Sequence, residues 1–216
     1  MKYPIGIQSF REIRTENYVY VDKTQQIYNL LSSGKYFFLS RPRRFGKSLL
    51  LSTMYELYTA QEELFKGLWI HSHWDWQAPP WPVIWLRFSK LDYKRKGLET
   101  ALLEEIRHIA RELEVELPQD TLKSSFYELI RRAAQQRKTV LLIDEYDKPI
   151  IDFLDDIPKA EENRDVLKNF YSVLKDADPY IELLFLTGVS AFSKVSIFSD
   201  LNNLSNITLS PQGYTL

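Results

Sequence analysis

Ser40-Arg41-Pro42-Arg43-Arg44-Phe45-Gly46-Lys47-Ser48-Leu49-Leu50 is the stretch that decides how this chain reads. The apolar run Tyr36-Phe37-Phe38-Leu39 precedes it, and a helical pattern from Leu49 to Tyr58 follows. Strand, tight loop, Gly-Lys-Ser and helix, in that order, describe a phosphate-binding loop. The backbone N–H groups of such a loop point inward, and the positive end of the next helix faces the bound anion. On this reading Arg41, Pro42, Arg43, Arg44, Phe45, Gly46, Lys47, Ser48 and Leu49 form a nucleotide cradle. Lys47 reaches the β- and γ-phosphates, and the Ser48 hydroxyl ligates Mg²⁺. One position departs from the pattern: G-x-x-x-x-G-K-[ST] puts a glycine where Arg41 stands. Arg43 and Arg44 add positive charge beside any polyphosphate. A bare Gly-Lys-Ser arises by chance in many proteins, so a second element is required.

That element is Thr139-Val140-Leu141-Leu142-Ile143-Asp144-Glu145-Tyr146-Asp147. Its aliphatic run reads as a strand buried on both faces, with carboxylates at its C-terminal end. This is the Walker B pattern with an added glutamate. Asp144 holds Mg²⁺, directly or through water, and Glu145 polarises the attacking water. The plainer alternative is a buried strand that ends in a solvated acidic turn. It loses ground because the run lies well downstream of a strand–Gly-Lys-Ser–helix unit.

Together, Arg41-Pro42-Arg43-Arg44-Phe45-Gly46-Lys47-Ser48 and Asp144-Glu145-Tyr146-Asp147-Lys148-Pro149 resemble the bacterial AAA-ATPase-like family. So do Pro4-Ile5-Gly6-Ile7-Gln8-Ser9-Phe10 and Tyr20-Val21-Asp22-Lys23-Thr24 near the start. Thr187-Gly188-Val189-Ser190 and Phe198-Ser199-Asp200-Leu201-Asn202-Asn203-Leu204 extend the likeness over nearly the whole chain. In that family an arginine at the first loop position is usual. The resemblance implies an additional-strand, AAA/STAND-like P-loop NTPase: an α/β three-layer αβα sandwich with a mainly parallel sheet in the order 5-1-4-3-2. It implies one domain over residues 1–216. In longer members a nuclease-like domain of the PD-(D/E)XK superfamily follows. The chain stops near where that domain begins, as a truncated chain or a short member.

Bulk composition bounds the rest. The 216 residues suffice for one α/β domain with a substantial core. Apolar residues make up 44% and charged residues 26%, ordinary values for a globular chain. A formal net charge of −1 supplies no global field for nucleic acid or an anionic membrane. Without cysteine there are no disulfides, no thiol chemistry and no cysteine metal sites. No apolar run approaches the ~18 residues of a membrane span, and the N-terminus lacks a signal-peptide core. The expectation is a cytoplasmic protein with no membrane partner.

Taken in order, Asp22 and Gln25 have the form of an N-cap and its partner. Ile27, Leu30 and Leu31 give helical spacing that Gly34 ends. Ile7, Phe10 and Tyr20 are either base-packing residues or simply core or lid residues. Strand 35–40 and helix 47–59 follow, then a short helix through Leu64, Phe65 and Leu68. Proline and tryptophan make 71–82 a loop. His71, His73 and Asp75 lack the further ligand that a metal site needs. Val83 to Phe88 is a strand, and Gly97 to Glu116 a helix ended by Pro118. Asp120 caps a helix through Leu122, Phe126, Leu129, Ile130 and Ala133, whose basic end suits its dipole. Lys148-Pro149 redirects the chain, 155–165 reads as a polar loop, and Val166 to Ala177 as a helix. Ile181 to Gly188 is the fourth strand, and Ile207-Thr208-Leu209 a short fifth. In additional-strand ATPases a polar residue at the fourth strand's end, sensor 1, contacts the γ-phosphate or the water. Thr187 is first choice and Ser190 second, against an ordinary turn.

Three functions compete. The first is an ATP-binding domain that hydrolyses ATP with Mg²⁺, catalysed by Glu145, Lys47 and Thr187 as a switch or motor module. No guanine-specific Asn-Lys-x-Asp motif is present, which favours ATP. Its partners are then ATP, a second copy that lends an arginine finger or another protein, and DNA through a C-terminal domain. Arg41, Arg43 and Arg44 could instead supply that charge in cis. The second is a nucleotide-gated binding module with little hydrolysis. The third is a nuclease using Asp75 and Asp92-Tyr93-Lys94, a triplet common by chance.

Overall fold

The computed structural model describes residues 2–118, 121–190, 197–198, 204–211, 213 and 216. Among them, strands β1 (Tyr36–Ser40), β2 (Val83–Arg87), β3 (Thr139–Asp144), β4 (Ile181–Gly188) and β5 (Ser205–Asn206) form one sheet. Its order is β2-β3-β4-β1-β5, and every pairing is parallel. From the opposite edge this is the expected 5-1-4-3-2. Helices α1 (Phe10–Thr15), α2 (Thr24–Leu31), α3 (Lys47–Tyr58), α4 (Tyr93–Lys96), α5 (Leu98–Glu112), α6 (Leu122–Ala133), α7 (Lys148–Ile151), α8 (Ile157–Tyr171) and α9 (Val173–Asp176) cover it. None is long and apolar enough to cross a membrane.

Strand alternation builds the three layers. Phe37, Leu39, Val140, Leu142, Leu183 and Phe185 face one way and pack on Leu50, Leu51, Met54 and Leu57 of α3. Phe38, Leu141, Ile143, Leu184 and Leu186 face the other way, against α5, α6 and α8. A parallel sheet sandwiched so must be apolar on both faces, hence the unbroken run Val140 to Ile143.

Several boundaries moved. Helix α5 stops at Glu112 rather than running to Glu116. Glu114 takes a left-handed φ of 56°, Val115 N–H donates to Ala110 O at 2.7 Å, and Glu114 N–H donates to Arg111 O at 3.2 Å. This is a Schellman ending without its usual glycine, so nothing in the sequence marked it. Residues 155–165 are not a loop: α8 runs from Ile157, with Asp156 accepting from Lys159 N–H and Pro158 in the first turn. Its inward position Asn163 is polar and donates to Pro149 O at 2.7 Å, which hid the apolar periodicity. Lys148-Pro149 opens the single-turn α7, proline being tolerated in a first turn. Helix α2 ends at Leu31, before Gly34, and Lys23 is its N-cap. Asp22 accepts from Thr24 N–H and Oγ1 and from Trp69 N–H, and no bond from Gln25 reaches it. The short helix expected near Leu64 is two 3-10 turns, Glu62–Phe65 and Trp69–Ser72. Strand β5 sits at Ser205–Asn206 instead of 207–209. Thr208 leaves the ladder, and its Oγ1 accepts from Ser40 N–H at 3.0 Å. Thr121 caps α6 through Ser124 N–H, Asp120 lying outside the described residues. Of the quoted stretch from Phe198 to Leu204, residues 199–203 are outside them as well.

Candidate nucleotide site

The loop after β1 has the conformation of an anion nest. Arg44 and Gly46 carry φ of 70° and 76°, both left-handed. Gly46 is the N-cap of α3 and no side chain caps it, so the first-turn N–H groups stay free for an anion. Glycine suits position 46, whereas Arg44 holds its strained φ at some cost. Arg41, in the glycine position, donates its backbone N–H to Gly188 O at 3.1 Å. Its guanidinium turns to Gly213 O. Pro42, Arg43, Arg44 and Phe45 are exposed around the loop.

Lys47 is buried at the head of α3, and its ammonium donates to Arg41 O at 2.7 Å and Pro42 O at 2.9 Å. Burial lowers its pKa. The charges of Asp144, Glu145 and Asp147 resist that shift, and Arg43 adds to it. Lys47 and the three carboxylates therefore occupy one electrostatic neighbourhood, though no direct ion pair joins them.

Opposite the loop, the tips of β3 and β4 are tied together. Thr187 Oγ1 donates to Asp144 Oδ1 at 2.6 Å, both residues being buried. Glu145 follows in a left-handed φ of 57°. Its Oε2 is buried with no hydrogen-bond partner, and burial, then Asp144, raises its pKa. Lys148, Lys47 and Arg43 oppose that rise. Left-handed backbone at a glutamate costs roughly 1–3 kcal/mol and collects at functional positions. Asp147 is fully buried and accepts from Val189 N–H, Ser190 N–H and Ser190 Oγ at 2.9, 2.7 and 3.0 Å. Ser190, second choice as sensor, is thus engaged in this clamp. The sequence reading gave Asp147 no role, and only its spacing from Asp144 hinted at one.

Two cavities flank the loop. One of about 390 Å³ is mostly apolar and lined by Tyr20, Val21, Ile27, Phe45 and Leu49 among others. Tyr20 lies there, its pKa pushed up to about 12 by burial. Phe10 is core behind it, 5.1 Å from the Tyr20 ring, and Ile7 does not line the cavity. The other, about 780 Å³, is polar and contains Ser48 and Asp144. One hydroxyl and one carboxylate fit Mg²⁺, a hard ion that keeps waters and substrate phosphates as its remaining ligands.

The other candidates disperse. His73 Nδ1 meets Trp69 O at 2.7 Å, His71 faces Glu62, and Asp75 accepts from Gln77 N–H. Asp92 turns to Arg95, and Lys94 pairs with Asp152 at 3.1 Å, so no nuclease-like cluster forms around them.

Parallel order and a helix-heading loop on the second strand from the edge define an α/β fold of the P-loop NTPase type. A family model described as predicted AAA-ATPase matches residues 4–198, and the chain belongs to this AAA-ATPase-like family. It is also 44% identical, over 223 aligned positions, to an "Uncharacterized protein in vnfD 5'region" of Azotobacter chroococcum mcd 1. That alignment covers 99% of this chain and 43% of the relative, so the chain spans less than half the relative's length. No solved structure matches.

Proposed function

We propose that the chain binds ATP with Mg²⁺ and hydrolyses it, as a switch or motor module coupled to a partner or to a further domain. The carrying observation is Glu145: an unpartnered buried carboxylate oxygen at a strained strand tip, beside Asp144 and across from Lys47. The loop amides and Lys47 bind the phosphates, which requires the ammonium to leave the carbonyls of Arg41 and Pro42. Ser48 and Asp144 hold the metal, which when bound supplies Lewis-acid neutralisation of phosphate charge. Thr187 fixes Asp144 and serves as the γ-phosphate sensor. Glu145 orients the attacking water and accepts its proton. The apolar cavity beside Tyr20, Phe45 and Leu49 suits a base. Catalysis on this plan is positioning and electrostatics.

The test pairs two variants. Lys47→Ala loses ATP binding by titration calorimetry. Glu145→Gln keeps it and loses hydrolysis, by roughly 10²–10⁴-fold as for a general base. Wild-type turnover in Glu145→Gln would remove the assigned base. Tight binding with no single-turnover hydrolysis by the wild type would favour the gated binding module instead.

A further inference from the structure

The inward row on the α3 face extends past the Walker strand. Leu39 of β1 pairs with Thr187 of β4, Thr187 bonds Asp144 of β3, and Asp144 pairs with Arg87 at the end of β2. Register partners in a parallel sheet share a face, so Arg87 stands one strand spacing, about 4.8 Å, beyond Asp144. Trp85, the preceding residue on that face, packs on Tyr55 of α3 at 5.2 Å. The Arg87 guanidinium lies over the Trp85 ring at 4.4 Å. Stacking holds it in place, yet among the described residues no carboxylate pairs with it and its Nε is buried without an acceptor. Of the carboxylates that share its cavity, Glu56 binds Arg11 at 2.6 Å, Glu112 faces His108 at 3.5 Å, and Glu105 acts on Lys90 without pairing with Arg87. Lys90 sits close enough for Arg87 to help depress its pKa, after burial. Arg87, Lys90, Ser48 and Asp144 line the same polar cavity.

A guanidinium cannot shed its charge, and a half-buried one with an unmet donor is costly unless an anion completes it. Its planar fork matches phosphate oxygens. Of the loop arginines, Arg41 is committed to Gly213 O, and Arg43 and Arg44 are exposed. We infer that Arg87 contacts the terminal phosphate of the bound nucleotide, as the arginine this chain supplies to its own site. The inference rests on the ATP reading above. The inner phosphates belong to the loop amides, so Arg87 tells a triphosphate from a diphosphate.

Binding of ATP and of ADP, each with Mg²⁺, is measured by calorimetry in the Glu145→Gln background, which removes turnover. Arg87→Gln is expected to weaken ATP about 10- to 100-fold, the worth of a charge-assisted hydrogen bond, while ADP changes less than about twofold. Arg87→Lys, which keeps the charge, is the variant to use if Arg87→Gln shows no cooperative melt; it should lose ATP affinity about threefold or more, with ADP spared. Equal losses for both nucleotides would make Arg87 structural, and no loss for either would remove it from the site. A parent protein that binds neither nucleotide overturns the ATP reading itself. One that binds both, with variants unchanged, overturns only the role of Arg87.

Discussion

On the proposed mechanism Glu145 concentrates the chemistry into one side chain. Its carboxyl must be ionised to take a proton from water, and burial with Asp144 beside it raises its pKa above the ordinary 4.5. Activity therefore falls as pH drops through that raised value, so the acid limb of the rate profile lies above the ordinary glutamate range. Lys148 opposes the shift. Lys148→Ala should move the acid limb to higher pH, measured from kcat against pH. A limb that stays put, or moves down, would show that another group controls it. The same residue explains a missed feature. The left-handed φ of Glu145 follows from closing β3 onto the tip of β4, where Tyr146 N–H donates to Thr187 O at 3.0 Å. Nothing about a glutamate announces that conformation.

The two strand tips depend on the Asp147 clamp. Its carboxylate holds Val189 and Ser190, and Gly188 leaves room for the Tyr146 ring, which a methyl at that position would strike. Tyr146 in turn packs on Phe38 and Phe198 and donates its hydroxyl to Ser190 O. Asp147→Ala strands the part-buried donors of Val189 and Ser190 and should cost about 3 kcal/mol. For a chain of this length that lowers the melting temperature by roughly 6–12 °C. Asp147→Asn keeps one acceptor and should lose less. An unchanged melting temperature in the alanine variant would show that the clamp is not structural. Helix α8 illustrates how such tertiary bonds hide an element: Asn163 occupies an inward position because Pro149 O needs a donor, not because the face is solvated.

Nucleotide binding should be felt by the entire chain, because the cradle joins β1, α3, β3 and β4. A ligand that binds only the folded state at about 100 times its dissociation constant stabilises by about 2.7 kcal/mol. At about 2–4 °C per kcal/mol, thermal unfolding with ATP and Mg²⁺ should rise by roughly 5–11 °C. In Lys47→Ala the rise should vanish, while an equal rise in that variant would place binding outside the loop. The chain's alignment with 43% of its Azotobacter relative sets this unit beside further sequence in that protein.

Local sequence was enough for β1 to β4, the loop after β1 and the acidic end of β3, because burial on both faces of a parallel sheet leaves continuous apolar runs. Gly46-Lys47-Ser48 and Asp144-Glu145 could be paired on paper because each ends or begins an element whose direction is known. The order of strands came from family likeness, since periodicity carries no information about neighbours. Folding alone set the rest. Cross-strand register put Arg87 beside Asp144, hydrogen bonds to distant backbone gave Asp147 and Asn163 their burial, and α5 ended on a left-handed glutamate. Apart from the local ending of α5, each of these is a pairing between residues far apart in the chain, and its energy exists only once both partners share a place.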